Sequence, residues 1–242
     1  MTGRQGKPAD PLWRSVASFT DGRVLVPPGW DRTEKGKGSP GAGRAAGDGT
    51  AREMLESLSR EVAGCTRCRL SETRQNLVFG EGDPEAGILL VGEGPGANED
   101  STGRPFVGRA GKLLDRILAA IDLDRNSVYI ANVVKCRPPG NRTPAADEVE
   151  ACSEILREQI SVMDPGVIVA LGASAARTLT GSRSGIGSLR GSFQRYGDIP
   201  VLVTYHPAAL LRSESLKRPV WEDMKRLKAF MDETGLPRGR AE

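Results

Sequence analysis

Apolar residues recur at helical spacing over residues 51–63 (AREMLESLSREVA), where Met54, Leu55, Leu58 and Val62 fall on one face. Four short apolar runs follow, at Ile88–Val91, Val128–Val134, Val167–Leu171 and Val201–Tyr205. Each reads as a strand buried on both faces of a sheet. Helical patterns separate them: Lys112–Ile121, Ala145–Met163 behind the start signal Thr143-Pro144, and the shorter Ala173–Leu179. A last helical pattern covers Trp221–Met231. Strands alternating with helices predict an α/β fold with a parallel sheet, covered on both faces and joined by right-handed crossovers. In such sheets functional groups gather beyond the carboxyl ends of the strands.

The first 50 residues do not follow this pattern. The stretch 32–50 (RTEKGKGSPGAGRAAGDGT) is rich in Gly, Lys and Arg and nearly free of large apolar residues. It cannot bury enough surface to offset its ordering entropy. Residues 1–50 are therefore expected to be a disordered extension, and residues 51–242 one folded domain. No apolar run approaches the roughly 20 residues of a membrane span. The opening MTGRQGKPAD lacks the apolar stretch of a secretory leader. Both point to a cytoplasmic protein without a membrane partner. A net charge of +3 permits a nucleic-acid partner without demanding one.

The chemistry-bearing residues sit where the predicted strands end. The first strand runs into Gly92-Glu93-Gly94-Pro95-Gly96, the second through Asn132 into Lys135-Cys136-Arg137. The third runs into Gly172-Ala173-Ser174 and the fourth into His206, the only histidine of the chain. A carboxylate, an amide and an imidazole thus converge on one rim. The Gly-rich turn is neither a GxGxxG nor a Walker sequence, which disfavours a nucleotide-binding fold. Cys65 and Cys68 form a C-x-x-C, with Cys136 after the second strand and Cys152 inside a helix. Four thiolates suit either a tetrahedral zinc or a [4Fe–4S] cluster, and spacing does not separate the two. Arg67, Arg69, Lys135 and Arg137 stand ready to offset thiolate charge or to meet phosphates.

Taken together, these residues make the chain resemble the family 4, iron–sulfur uracil-DNA glycosylases over residues 55–234. The matching segments are GEGPGANED (92–100), GRPFVGRAG (103–111), NVVKCRPPGNRTP (132–144), LGASAARTL (171–179) and HPAALLR (206–212), with all four cysteines. The resemblance implies a three-layer α/β/α sandwich around a four-stranded parallel sheet. It also implies a [4Fe–4S] cluster on Cys65, Cys68, Cys136 and Cys152, and monofunctional excision of uracil from single- or double-stranded DNA. The chain is expected to act as a monomer. The rivals are a non-catalytic iron–sulfur or zinc nucleic-acid binder, and a glycosylase preferring other deaminated bases.

Individual roles follow from the same resemblance. A base inside the duplex must be flipped out before it is attacked. Phe106 would stack on the flipped uracil, Asn132 would read its Watson–Crick edge, and His206 would donate to O2. Glu93 would polarise the water or stabilise the sugar cation, because Gly94 stands where some relatives carry a water-orienting Asp. Glu99 would sit beside uracil C5, with Asn141 holding Glu99 or the pocket rim. Leu210 is the expected wedge into the vacated stack, with Leu211 as the alternative. Arg212 would meet a phosphate. The segment Pro138–Pro144 is short and lacks a histidine, which predicts turnover rather than covalent trapping on DNA.

Overall fold

Thr50 opens the first helix, α1 (Ala51–Val62), through a reciprocal cap. Its hydroxyl accepts the Glu53 amide at 3.3 Å, and the Glu53 carboxylate accepts the Thr50 amide at 2.7 Å. Such a cap contributes on the order of 1 kcal/mol. The computed structural model describes residues 49–236, so the disorder expected for residues 1–50 lies almost wholly outside the described residues.

The chain continues through β1 (Glu81–Gly82), β2 (Ile88–Gly92), α2 (Ala97–Thr102), α3 (Arg109–Ala119) and β3 (Tyr129–Asn132). Then come α4 (Ala146–Met163), β4 (Val167–Leu171), α5 (Ala173–Thr180) and α6 (Ile186–Leu189). The last elements are β5 (Phe193–Tyr196), β6 (Ile199–Thr204), α7 (Pro207–Leu210) and α8 (Lys217–Thr234). The sheet order is β1-β3-β2-β4-β6-β5. The four inner strands are parallel, as expected. The sheet nevertheless has six strands rather than four, because β1 and β5 add antiparallel edges to β3 and β6. β1 is only two residues long, too short for a periodic signal. β5 and β6 form a hairpin whose turn, Gly197-Asp198, places Gly197 at φ 57°. That Gly-Asp pair is itself a hairpin signal in the sequence.

Every residue of β2 and β4 is buried, which explains their unbroken apolar runs. The two-residue period of a strand then divides them between two cores. Leu89, Val91, Ile168 and Ala170 face one side and pack with Leu58, Ile155 and Leu179 of α1, α4 and α5. Ile88, Leu90, Val167 and Val169 face the other and pack with Leu114, Ile117, Met224 and Leu227 of α3 and α8. This is the expected α/β/α sandwich. β2 lies between β3 and β4, so the chain reverses direction across the sheet there. That switch point opens a crevice at the strands' carboxyl ends.

Candidate active site

The crevice is a cleft of about 580 Å³, and residues beyond all four parallel strands line it. Glu93 and Gly94 follow β2, Asn132 ends β3, Gly172 and Ser174 follow β4, and His206 follows β6. Glu99, Phe106, Asn141 and Arg212 complete the wall from loops and short helices. The fold thus brings together the residues singled out along the chain, apart from the cysteines, the two leucines and the basic residues Arg67, Arg69, Lys135 and Arg137.

At the floor, the close approach of two side chains dictates a glycine. A Cβ on Gly92 would lie 2.4 Å from Asn132 Oδ1 and 2.6 Å from Phe106 Cζ. Asn132 is paired with Gly92 in the sheet and is 2% exposed. Its Oδ1 has no hydrogen-bond donor, alone among the buried side-chain polar atoms of the described residues. An orphaned buried acceptor costs roughly 1–3 kcal/mol, so the site is built to receive a donor.

Phe106 adopts φ 53°, a left-handed conformation that a bulky residue rarely takes. Its ring stacks on His206 with centroids 5.4 Å apart and planes at 30°. Glu99 braces the same loop from within the cleft wall. One carboxylate oxygen accepts the amides of Val107 at 2.9 Å and Gly108 at 2.8 Å, and the other accepts the Gly96 amide at 3.1 Å.

His206 caps α7, and its Nδ1 accepts the Ala208 amide at 3.1 Å. Nδ1 is therefore unprotonated and Nε2 carries the hydrogen. Burial and the nearby Arg212 charge push the imidazole pKa down to about 4, with Glu99 opposing. The ring is a neutral Nε2–H donor at neutral pH. Two residues earlier, buried Thr204 donates to Asp223 at 2.7 Å, and Arg190 pairs with the same carboxylate at 3.0 Å. Glu93 is half-buried; burial raises its pKa, and a hydrogen bond from Ser174 opposes this. A side chain at Gly94 would place its Cβ 2.7 Å from Val134 Cγ2, so an Asp does not fit there without a shift.

The four cysteines gather at a separate site that shares no lining residue with the cleft. Cys65 and Cys68 from the loop after α1, Cys136 beyond β3, and Cys152 on α4 line one small cavity. Arg74 donates to Cys136 Sγ at 3.1 Å and to the Cys65 carbonyl at 2.8 Å. The Lys135 amide donates to Cys152 Sγ at 3.3 Å. Burial raises both the Cys136 and Cys152 thiols, and the adjacent cations Arg74 and Lys135 pull them back.

A model of the uracil DNA glycosylase superfamily matches residues 79–225. A type-4 uracil-DNA glycosylase of Thermotoga maritima is 47% identical over 190 residues, covering 77% of this chain and 99% of that protein. The chain belongs to the type-4 uracil-DNA glycosylases. Two proteins of Pyrobaculum aerophilum place it further. A type-4 enzyme is 43% identical over 178 residues, covering 70% of this chain and 91% of that protein. A type-5 enzyme is 33% identical over 150 residues, covering 53% and 64%.

Within this type-4 glycosylase, several expected placements need correction. Leu210, expected as the DNA wedge, is 1% exposed and belongs to the core with Val220 and Trp221. α7 is a single turn, and its last residue points back into the protein. Leu211, the next residue, is 40% exposed. Of the two roles expected for Asn141, its contacts match the pocket rim rather than Glu99: it lines the cleft, and its Oδ1 accepts Arg137 Nε at 2.8 Å. Lys135 is fully buried; its Nζ donates to the Asn132 carbonyl at 2.8 Å and to Gln159, while its charge still draws the Cys152 thiol down. Arg67, which lines the cysteine cavity, pairs with Glu154, and Arg69 pairs with Glu148. Sequence reasoning missed Arg74, the cation that does reach a cysteine. Its one signal was position, six residues after Cys68 in the segment closing the cavity.

Proposed function

We propose that this glycosylase flips uracil from DNA into the cleft and hydrolyses its N-glycosidic bond, leaving an abasic site. The observation that carries the reading is the orphaned Oδ1 of Asn132 beside the Phe106 ring. Uracil presents an N3–H donor next to an O4 acceptor, the pattern that complements a side-chain amide. Held in this orientation, Oδ1 accepts N3–H and the amide nitrogen donates to O4. Cytosine presents the opposite pattern and leaves buried polar groups unpaired. Phe106 stacks on the base, worth roughly 1–3 kcal/mol.

The C1′–N1 bond breaks with its electron pair passing to uracil. His206 Nε2–H donates to O2, where part of that charge develops, so it stabilises the transition state more than the ground state. A neutral donor suffices. Glu93 faces the cationic sugar and the water whose oxygen closes on C1′; the water's proton leaves to solvent. Gly94 supplies no carboxylate to this step. Glu99 lies where it borders uracil C5 while it braces the Phe106 loop. Arg212 meets a phosphate, and Leu211 enters the vacated stack. The turn Pro139–Asn141 beside the cleft carries no nucleophilic histidine, which favours turnover.

The four cysteines fit a [4Fe–4S] cluster. They surround a shared cavity, and N–H donors reach two of the sulfurs, as suits thiolate ligands. Such a cluster would supply cross-linking rather than chemistry, tying the Cys65–Cys68 loop to the exit of β3 and to α4. The test of function is incubation with a uracil-containing oligonucleotide followed by alkaline cleavage of abasic sites. Cleavage of uracil strands and not of cytosine or thymine strands is expected. Intact uracil strands alongside cleaved hypoxanthine or xanthine strands would transfer the reading to another deaminated base.

A further inference from the structure

Phe106 holds its left-handed backbone between two oppositely charged clamps. On one side, Glu99 accepts the amides of the two residues that follow it. On the other, Arg125 donates to the carbonyl of Phe106 at 2.9 Å and to that of Pro105 at 2.5 Å. Arg125 stands in the turn Arg125–Ser127 just before β3, and it is itself held by Asp115 at 3.1 Å and Glu81 at 3.2 Å. Its side chain is 20% exposed and does not line the cleft. α3 closes the remaining side: a Cβ on Gly111 would fall 1.7 Å from the Phe106 carbonyl oxygen.

We infer that Arg125 is a positioning residue for Phe106, its planar fork holding two successive carbonyls so that the ring lies against His206 over the base site. A backbone in a sparsely populated conformation persists only where its surroundings over-determine it. The fork geometry suits two adjacent carbonyls, and a single ammonium does not. The inference rests on the uracil-stacking role of Phe106 for its functional meaning, but not for its geometry.

The chain's single histidine makes the geometry measurable without DNA. Phe106 imposes a ring-current shift on the His206 ring protons, and Phe106→Leu defines their positions without it. Arg125→Gln is expected to move both resonances most of the way to the Phe106→Leu positions. Arg125→Lys, which keeps one carbonyl, moves them less, and it carries the same test if Arg125→Gln does not fold. Arg104→Gln is the control: it removes the other cation on Glu81 and leaves Arg125 its bonds to both carbonyls, to Asp115 and to Glu81, so it should leave the resonances in place. Single-turnover uracil excision should fall about tenfold in Arg125→Gln and stay at the wild-type rate in Arg104→Gln. Unshifted resonances in a folded Arg125 variant, or an equal shift in Arg104→Gln, would overturn the inference. Full-rate excision by Phe106→Leu would sink the stacking role instead, while the resonances still decide whether Arg125 places the ring.

Discussion

The amide of Ala208 donates to Nδ1 of His206, and this one contact assigns the imidazole tautomer. The ring hydrogen must then sit on Nε2, the atom proposed to donate to uracil O2. The pKa near 4 keeps the ring neutral well below physiological pH. In nitrogen-detected NMR the sole histidine should show the Nε2–H tautomer and no titration between pH 5 and 8. His206→Ala should lower single-turnover excision by about 10²–10³, or ~3–4 kcal/mol, with DNA affinity nearly unchanged. A histidine titrating near its ordinary 6.5 would contradict the assignment.

The same depressed pKa links folding to pH. Between pH 6.5 and about 4 the unfolded chain takes up a proton at His206 that the folded chain refuses. The contribution of this group to stability is therefore level above pH 6.5 and declines as pH falls towards 4. Urea unfolding across that range should show a shallower acid slope for His206→Gln than for the wild type.

Asn132→Asp keeps the size of the side chain but removes the amide donor proposed to face uracil O4. Its carboxylate also repels the departing uracil anion. Uracil excision should drop, and the ratio of uracil to cytosine excision should fall. The ratio is the sharper readout, since damage to the fold lowers both rates together. Wild-type uracil activity in this variant would remove Asn132 from the base-reading role.

Leu210 and Leu211 should separate cleanly. Leu210→Ala leaves a cavity in the core and should cost about 2–5 kcal/mol by chemical denaturation. Leu211→Ala removes an exposed side chain; it should leave stability within about 0.5 kcal/mol and reduce excision from duplex more than from single strands. An equal loss on both substrates would remove Leu211 as the wedge.

Cys136→Ala should lose metal and stability together, because a site absent from the unfolded chain contributes its binding energy to folding. The wild-type protein should be brown, with a broad band near ~400 nm. Stoichiometric zinc in a colourless, fully active protein would refute the cluster.

The alternation of apolar runs with helical patterns was enough for the sandwich and its four parallel strands, because strands buried on both faces must be apolar throughout. The same rule put Glu93, Asn132 and His206 at one rim, since parallel strands present their carboxyl ends together. The edge strands escaped it. β1 and β5 are short or only partly buried, so burial does not enforce a pattern on them.

What the sequence by itself determined was membership: which residue types stand at which strand ends, and that four cysteines belong to one site. Tertiary structure decided orientation. Leu210 and Leu211 are the same residue type side by side, and only the turn of α7 against the core sends one inward and the other to solvent. Lys135 and Arg74 are both cations near the cysteines in sequence. Complete burial turns the Lys135 ammonium to backbone and amide oxygens, while Arg74 reaches a sulfur. Arg125 lies 19 residues from Phe106, and no local signal joins them. Its role arises where a long side chain crosses to two carbonyls that a strained loop exposes, a contact specified by distance in space and not by spacing along the chain.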